Sequence, residues 1–436
     1  MSVVGRIRYL ATFAAGRGAL FLAPIVVANV MPVSSYGQVE WAHAAGSLLA
    51  TGLAVGTSSV APLVELGQER RTNLGSVLVH HIGVSILLFV TGLGIASFLP
   101  DQSSMALASL MGGVLVLQSL WSVLLKMRSR NEASILLDAG AFTIIAASAV
   151  FGLSVLHAVP LQAVAFGLLI YGLVLLGRTL VESRITAQHN SRHLWREALL
   201  CGAPLMVGAL VSTAVTTSGR FAMGLLADAA LTGEYGALMR VGALPVIAHQ
   251  VVMIARFRSL YTDDVSRIAH AVERILAIVS VSALGFWLVS PLVGHLFGES
   301  FALARARHPR AFILILVHTL FWSGLALNDL LLARQGALGR ALRWTIPCLV
   351  VGIGAIGVAL HFAGVSLEAF AALHVLVMAA FFSVQCAVLR ATGMTLRRAW
   401  ILVAVVSVIL GFISLLTSKG EARSGGAMAC SARESG

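Results

Sequence analysis

Apolar residues run along this chain in long stretches, and only short polar turns separate them. A bilayer core of about 30 Å takes roughly twenty residues of helix, and about thirteen runs meet that length. They include Tyr9–Met31, Glu40–Leu66, Val77–Leu99, Pro204–Ala230, Gly236–Phe257 and Ala399–Thr417. The longest polar gap, Glu182–Cys201, falls near the middle of the chain. The pattern predicts an all-α polytopic membrane protein with an N-terminal six-helix bundle over 1–181, a cytoplasmic linker over 182–203 and a C-terminal six-helix bundle over 204–390. An additional transmembrane helix over 391–418 and a disordered Gly/Ser-rich tail over 419–436 complete it.

Composition narrows the class. With 58% hydrophobic and 11% charged residues over 436 positions, no polar stretch is long enough to fold as a separate soluble domain, which excludes catalytic domains of ordinary size. The formal charge of +12 would suggest nucleic-acid binding in a soluble chain. Here most Lys and Arg sit in alternate gaps between apolar runs, so they read as topology, with the N-terminus inside the cell and no nucleic-acid partner. The Arg305–Arg310 cluster is the exception, falling outside. The first apolar run is too long for a signal peptide and reads as a retained span. Cys201, Cys348, Cys386 and Cys430 lie far apart without a C-x-x-C pair, so neither a disulfide framework nor a metal site is expected.

Two segments have similar openings: Val33-Ser34-Ser35-Tyr36-Gly37 and Thr232-Gly233-Glu234-Tyr235-Gly236, about 200 positions apart, each followed by a run rich in small residues. Internal repeats of this kind build many transporters, with the substrate at the interface of the halves.

Ionisable side chains within spans carry the functional signal, because each costs about 2.5–3.5 kcal/mol on insertion scales. Arg17 lies roughly 12 Å into the first span, flanked by Gly16 and Gly18. Arg220 lies about 15 Å from the outer end of its span, near the midplane. The hydroxyl-rich stretch Ser212–Gly219 precedes it, and no carboxylate lies one turn either side. That pattern suits a helix facing a wet cavity. The alternative is hydroxyls bonded back to their own helix and an arginine paired with an acid on another helix. Arg240 is nearer its outer edge and within snorkelling reach. The repeat sets Glu40 opposite it, so a Glu40–Arg240 pair closing the outer mouth is expected. Asp138 and Asp329 sit near the inner face as coupling candidates, Asp329 with Asn328 and Arg334 close by. His249, His318 and His374 are given no role. A guanidinium's planar fork of donors matches phosphate or carboxylate, so Arg17, Arg220 and Arg240 are the expected contacts for an anionic headgroup.

Several motifs together resemble a family. Pro32–Gly37 followed by a small-residue helix ending Gly52-Leu53-Ala54-Val55-Gly56 is similar to the start of bacterial polysaccharide-export flippases. So are Pro204, Ser218-Gly219-Arg220-Phe221, Gly233-Glu234-Tyr235-Gly236 and Leu296–Phe301. These flippases belong to the multidrug/oligosaccharidyl-lipid/polysaccharide exporter superfamily. The resemblance implies two six-helix bundles in a pseudo-symmetric V-shaped arrangement with an extra C-terminal helix. It also implies alternating access in the bacterial inner membrane, and an undecaprenyl-pyrophosphate-linked oligosaccharide as substrate, received by cationic residues such as Arg17 and Arg220. No cofactor is expected beyond coupling to a proton or sodium gradient. A polysaccharide polymerase and glycosyltransferases are the implied protein partners. The chain departs from the family pattern at Gly219, where an acid often precedes the arginine. A multidrug or cation antiporter of the same superfamily is the nearest alternative. A membrane polymerase or ligase and a structural scaffold are less well matched to short outer loops and a mid-span arginine.

Overall fold

The computed structural model describes residues 3–65, 72–157, 161–186, 192–247, 264–394 and 396–431. Among them the chain forms sixteen α-helices and no strand. They are α1 (Val3–Val30), α2 (Val33–Leu53), α3 (Thr57–Glu65), α4 (Leu74–Phe98), α5 (Ser103–Met127), α6 (Asn131–Asp138), α7 (Gly140–Leu156), α8 (Leu161–Thr186), α9 (Arg192–Leu226), α10 (Ala229–Gly242), α11 (Val265–Val293), α12 (Glu299–Arg307), α13 (Pro309–Arg334), α14 (Leu338–Ala363), α15 (Leu367–Ala391) and α16 (Arg397–Ser431). Only a helix satisfies every backbone group within a single segment in hydrocarbon, which is why the apolar runs fold this way. Nine of the described helices are long and apolar enough to cross a bilayer. The bent pairs α2–α3 and α6–α7 raise that to as many as 11, and Trp400–Ser414 of α16 is a shorter apolar helix. The protein is therefore an all-α, multi-pass membrane protein.

Chain breaks follow local chemistry. Asn73 caps α4 by accepting from Ser76 N at 2.8 Å, and Ser366 caps α15 by accepting from Ala369 N at 3.2 Å. Between α2 and α3 the chain turns by 50° through Val55 and Gly56, both at positive φ. A Cβ on Gly56 would also lie 2.2 Å from Gly202 O of α9, so this corner requires glycine for contact as well as conformation.

Contacts divide the chain into two compact units, Met1–Gly233 and Glu234–Gly436. By contact the boundary lies C-terminal to the linker expected at 182–203. Helix α8 continues to Thr186 and α9 begins at Arg192, because the sequence Arg192–Leu200 is rich in strong helix formers. The remaining linker residues 187–191 lie outside the described set. Helix α9 packs against α2, α3 and α4, which makes it part of the first unit. The helix α16 runs to Ser431, where composition pointed to a disordered tail over 419–436. The end of the run Gly236–Phe257, and His249 with it, lies outside the described residues.

In the first unit α5 is the central helix, packed on α2, α4 and α8. Gly46 of α2 and Gly112 of α5 allow the close approach, since a Cβ on Gly46 would stand 2.8 Å from Ala108 O. In the second unit α13 is central, packed on α15, α16 and α11, with Phe312, Leu316 and Leu320 nearly inaccessible.

Candidate functional site

Helices α2, α3, α5, α6 and α9 enclose a polar cavity of about 460 Å³ within the first unit. Arg220 of α9 stands in its wall, 8% exposed. Its Nη1 donates to Glu40 Oε2 of α2 at 2.9 Å and lies 3.3 Å from His43 Nδ1, while Nη2 donates to its own helix at Thr216 O, 3.4 Å. A guanidinium only donates, so His43 Nδ1 accepts and the neutral ring carries its proton on Nε2. The other oxygen of Glu40 accepts from the Tyr36 hydroxyl at 2.7 Å. Both oxygens of a carboxylate that is 2% exposed are therefore bonded, as a buried charge requires.

Glu40 is engaged by Arg220, because α2 and α9 pack side by side and bring the two mid-span charges together. Arg220 is accordingly not a bare cation: its acid comes from another helix, although none lies within one turn of it in sequence. Of the two readings of the hydroxyl-rich stretch, each describes part of it. Thr213, Thr216 and Thr217 line the cavity. Thr216 and Thr217 also donate to Thr213 O at 2.9 and 2.7 Å, and Thr213 Oγ1 pairs with Thr51 Oγ1 at 3.2 Å.

The opposite end of the cavity holds Ser58, Gln118, Ser119 and Asp138. Asp138 ends α6; its carboxylate lies 3.5 Å from Lys126 Nζ and its backbone oxygen accepts from Gln118 Nε2 at 3.0 Å. Ser58 connects this end to the buried His81, whose Nε2 is 3.0 Å from the hydroxyl.

Arg17 is not among the cavity's lining residues. It sits on α1 with its guanidinium 5.9 Å from the Phe13 ring, and among the described residues it has no acidic partner. Gly16 beside it gives room to α6 and not to a ligand, since a Cβ there would meet Ile135 Cγ2 at 2.6 Å. Arg240 and Asp329 belong to the second unit. Asp329 Oδ1 accepts from Gln385 Nε2 at 2.6 Å, joining α13 to α15.

Sequence reasoning passed over Tyr36 and His43. Their signal is helical spacing: Tyr36, Glu40 and His43 are four and three residues apart, which stacks a hydroxyl, a carboxylate and an imidazole on one face of α2. That face was legible once Glu40 had been singled out.

No protein-family model and no curated protein matches the sequence. Solved structures do match. One is a multidrug resistance MATE family transporter of the MOP superfamily in an inward-facing conformation: 16% identity, TM-score 0.61, covering 86% of this chain and 94% of that one. Another is the lipid II flippase MurJ in an inward closed conformation: 12% identity, TM-score 0.65, covering 94% of this chain and 93% of that one. Matches spanning nearly the whole of both partners give this chain the all-helical membrane fold that the MATE transporter and MurJ share.

Proposed function

We propose that the protein is a flippase that carries an undecaprenyl-pyrophosphate-linked oligosaccharide repeat unit across the bacterial inner membrane by alternating access, for surface polysaccharide biosynthesis. The observation that carries this reading is Arg220, buried in the wall of a polar cavity with a carboxylate and an imidazole as its immediate company. A pyrophosphate is a better partner for the guanidinium fork than a single carboxylate, because it offers more oxygens and more charge. On this reading the arriving headgroup displaces Glu40 from Arg220, and Tyr36 keeps hold of the released acid. Glu40 then becomes the group on which a coupling cation acts, with Asp138 and Asp329 as further coupling positions. Arg17 and Arg240 are proposed as additional substrate contacts, each within its own unit. The fold supports the reading by its likeness to a named lipid II flippase.

A cation antiporter is the second reading, and one observation favours it. Glu40 balances the charge of Arg220, and Asp138 adds a carboxylate to the same cavity. The fold match to a multidrug transporter fits it equally. Proteoliposomes containing the full chain separate the two. Translocation of a fluorescent polyprenyl-pyrophosphate oligosaccharide that is lost in Arg220→Gln/Glu40→Gln, and only partly retained in Arg220→Lys, is the expected outcome. Proton-driven movement of an organic cation without any oligosaccharide translocation would sink the flippase reading.

A further inference from the structure

The second unit holds a cluster that the proposed transport does not use. At the corner between α12 and α13, His308 stands between two carboxylates, its Nε2 2.9 Å from Glu234 Oε2 of α10 and its Nδ1 2.7 Å from Glu368 Oε1 of α15. The corner is fixed by its own backbone: His308 N donates to Ala304 O at 2.9 Å and closes α12, while Phe312 N donates to His308 O at 3.1 Å and opens α13. The side chains of His308, Glu234 and Glu368 are 19%, 15% and 31% exposed, so none of the three is sealed from its surroundings.

A count of donors fixes how many protons the cluster holds. A carboxylate only accepts, and a neutral imidazole has one N–H and one lone pair. Two carboxylates on a neutral ring would therefore leave one contact with lone pair against lone pair, at a distance where a hydrogen bond requires a proton. The geometry needs one proton more. Either the ring carries it and donates from both nitrogens, or one of the acids carries it and donates to the ring; the count is the same in both forms. Three cations share this corner. Arg307 donates to Glu234 Oε1 at 2.7 Å, Arg310 follows in the first turn of α13, and Arg305 donates to Ser290 Oγ at 3.0 Å with its guanidinium 5.8 Å from the Phe312 ring.

We propose that Glu234, His308 and Glu368 form a proton-binding site that fastens α10 and α15 to the α12–α13 corner. With the proton bound, both carboxylates are held, as they are here. Its loss leaves His308 one N–H for two acids. Arg307 keeps Glu234 at the corner, so it is Glu368, and the start of α15 with it, that parts from the ring. The fastened state binds one proton more than the parted one, so it is favoured as pH falls, and the ratio of the two changes by at most about tenfold per pH unit. The site lies outside the Arg220 cavity and does not depend on the flippase reading.

The test is the separation of α12 from the start of α15 in the full chain, read by pulsed electron paramagnetic resonance between spin labels on Leu303→Cys and Val365→Cys in a cysteine-free background; both positions are exposed. Measurements in detergent at about pH 6 and about pH 9 bracket the range in which an imidazole ordinarily titrates. The expected result is one narrow distance at the lower pH and a second, longer one gaining at the higher. Glu368→Gln should abolish that change and hold the short distance at both, because the amide donates to Nδ1 of a neutral ring whose Nε2–H still serves Glu234. His308→Phe should give the long distance at both. If His308→Phe fails to fold, Glu368→Gln alone decides. A wild-type distribution that is the same at both pH values, a Glu368→Gln variant that shifts with pH or is parted at both, or a folded His308→Phe variant that stays short would each overturn the proposal.

Discussion

A polar cavity of the first unit and an apolar one of the second are of similar size and opposite chemistry. The first unit's cavity, about 460 Å³, is walled by hydroxyls, amides and the Arg220–Glu40 pair. The second unit's, about 570 Å³, lies among α13, α15 and α16 and is lined by side chains such as Leu314, Phe321, Phe382 and Val408. Volume therefore does not distinguish a site for a charged headgroup; the lining does. The second unit also contains buried polar groups, but it uses them between helices. His318 stacks on His374 at 4.7 Å, and Asp329 accepts from Gln385. At its helix ends His308 bridges Glu234 and Glu368, with ring nitrogens 2.9 and 2.7 Å from their carboxylates. Of the related Tyr-Gly pairs, Tyr36 donates to the buried Glu40 carboxylate, and Tyr235 packs edge-on against Phe370 with centroids 5.4 Å apart.

Breaking the charge pair is the most severe way to probe this contrast. Arg220→Ala leaves Glu40 buried without its main counterion and should destabilise the protein by about 3–5 kcal/mol, read as a lowered midpoint of thermal unfolding. Arg220→Gln combined with Glu40→Gln should recover most of that loss. If the single variant melts like the wild type, the pair is not a buried charge and the cavity is more hydrated than its geometry indicates.

A smaller effect separates tight from open helix packing. A Cβ on Gly37 would fall 1.8 Å from Ala229 O, a backbone atom that cannot swing aside. Gly37→Ala should thus cost about 1–3 kcal/mol through overpacking. By contrast, a Cβ on Gly354 of α14 meets nothing within 4 Å. Gly354→Ala should raise stability by up to about 1 kcal/mol through helix propensity. Equal and small shifts for the two substitutions would remove the inferred close contact between α2 and the start of α10.

The mildest test leaves stability alone and asks which cavity is wet. In a cysteine-free background, Ser47→Cys in the first cavity should react with a charged methanethiosulfonate reagent, and Ser407→Cys in the second should be protected. Similar labelling rates would erase the distinction between the two cavities.

Much of the fold was legible because membrane insertion is a local property. Twenty apolar residues in a row must form a helix wherever they sit, and the bends within α2–α3 and α6–α7 leave the expected runs intact. Arg220 was identifiable for the same reason, since a charge deep in a span is costly in any packing arrangement. The hydroxyls of α9 were likewise visible as a stretch before it was known which of them face the cavity and which bond back to Thr213.

The partner of Arg220 was not legible. Glu40 is 180 positions away, and local spacing does not state which helices touch. The division between units had the same character, because polarity marked 182–203 as a break while packing assigned α9 to the first unit. The sequence alone thus determined that the apolar runs form helices and which charges are too deep to be idle, since both follow from the free energy of transferring residues one segment at a time. Tertiary structure alone decided that a guanidinium, a carboxylate, a phenol and an imidazole meet at one cavity, because the contact depends on how α2 and α9 cross.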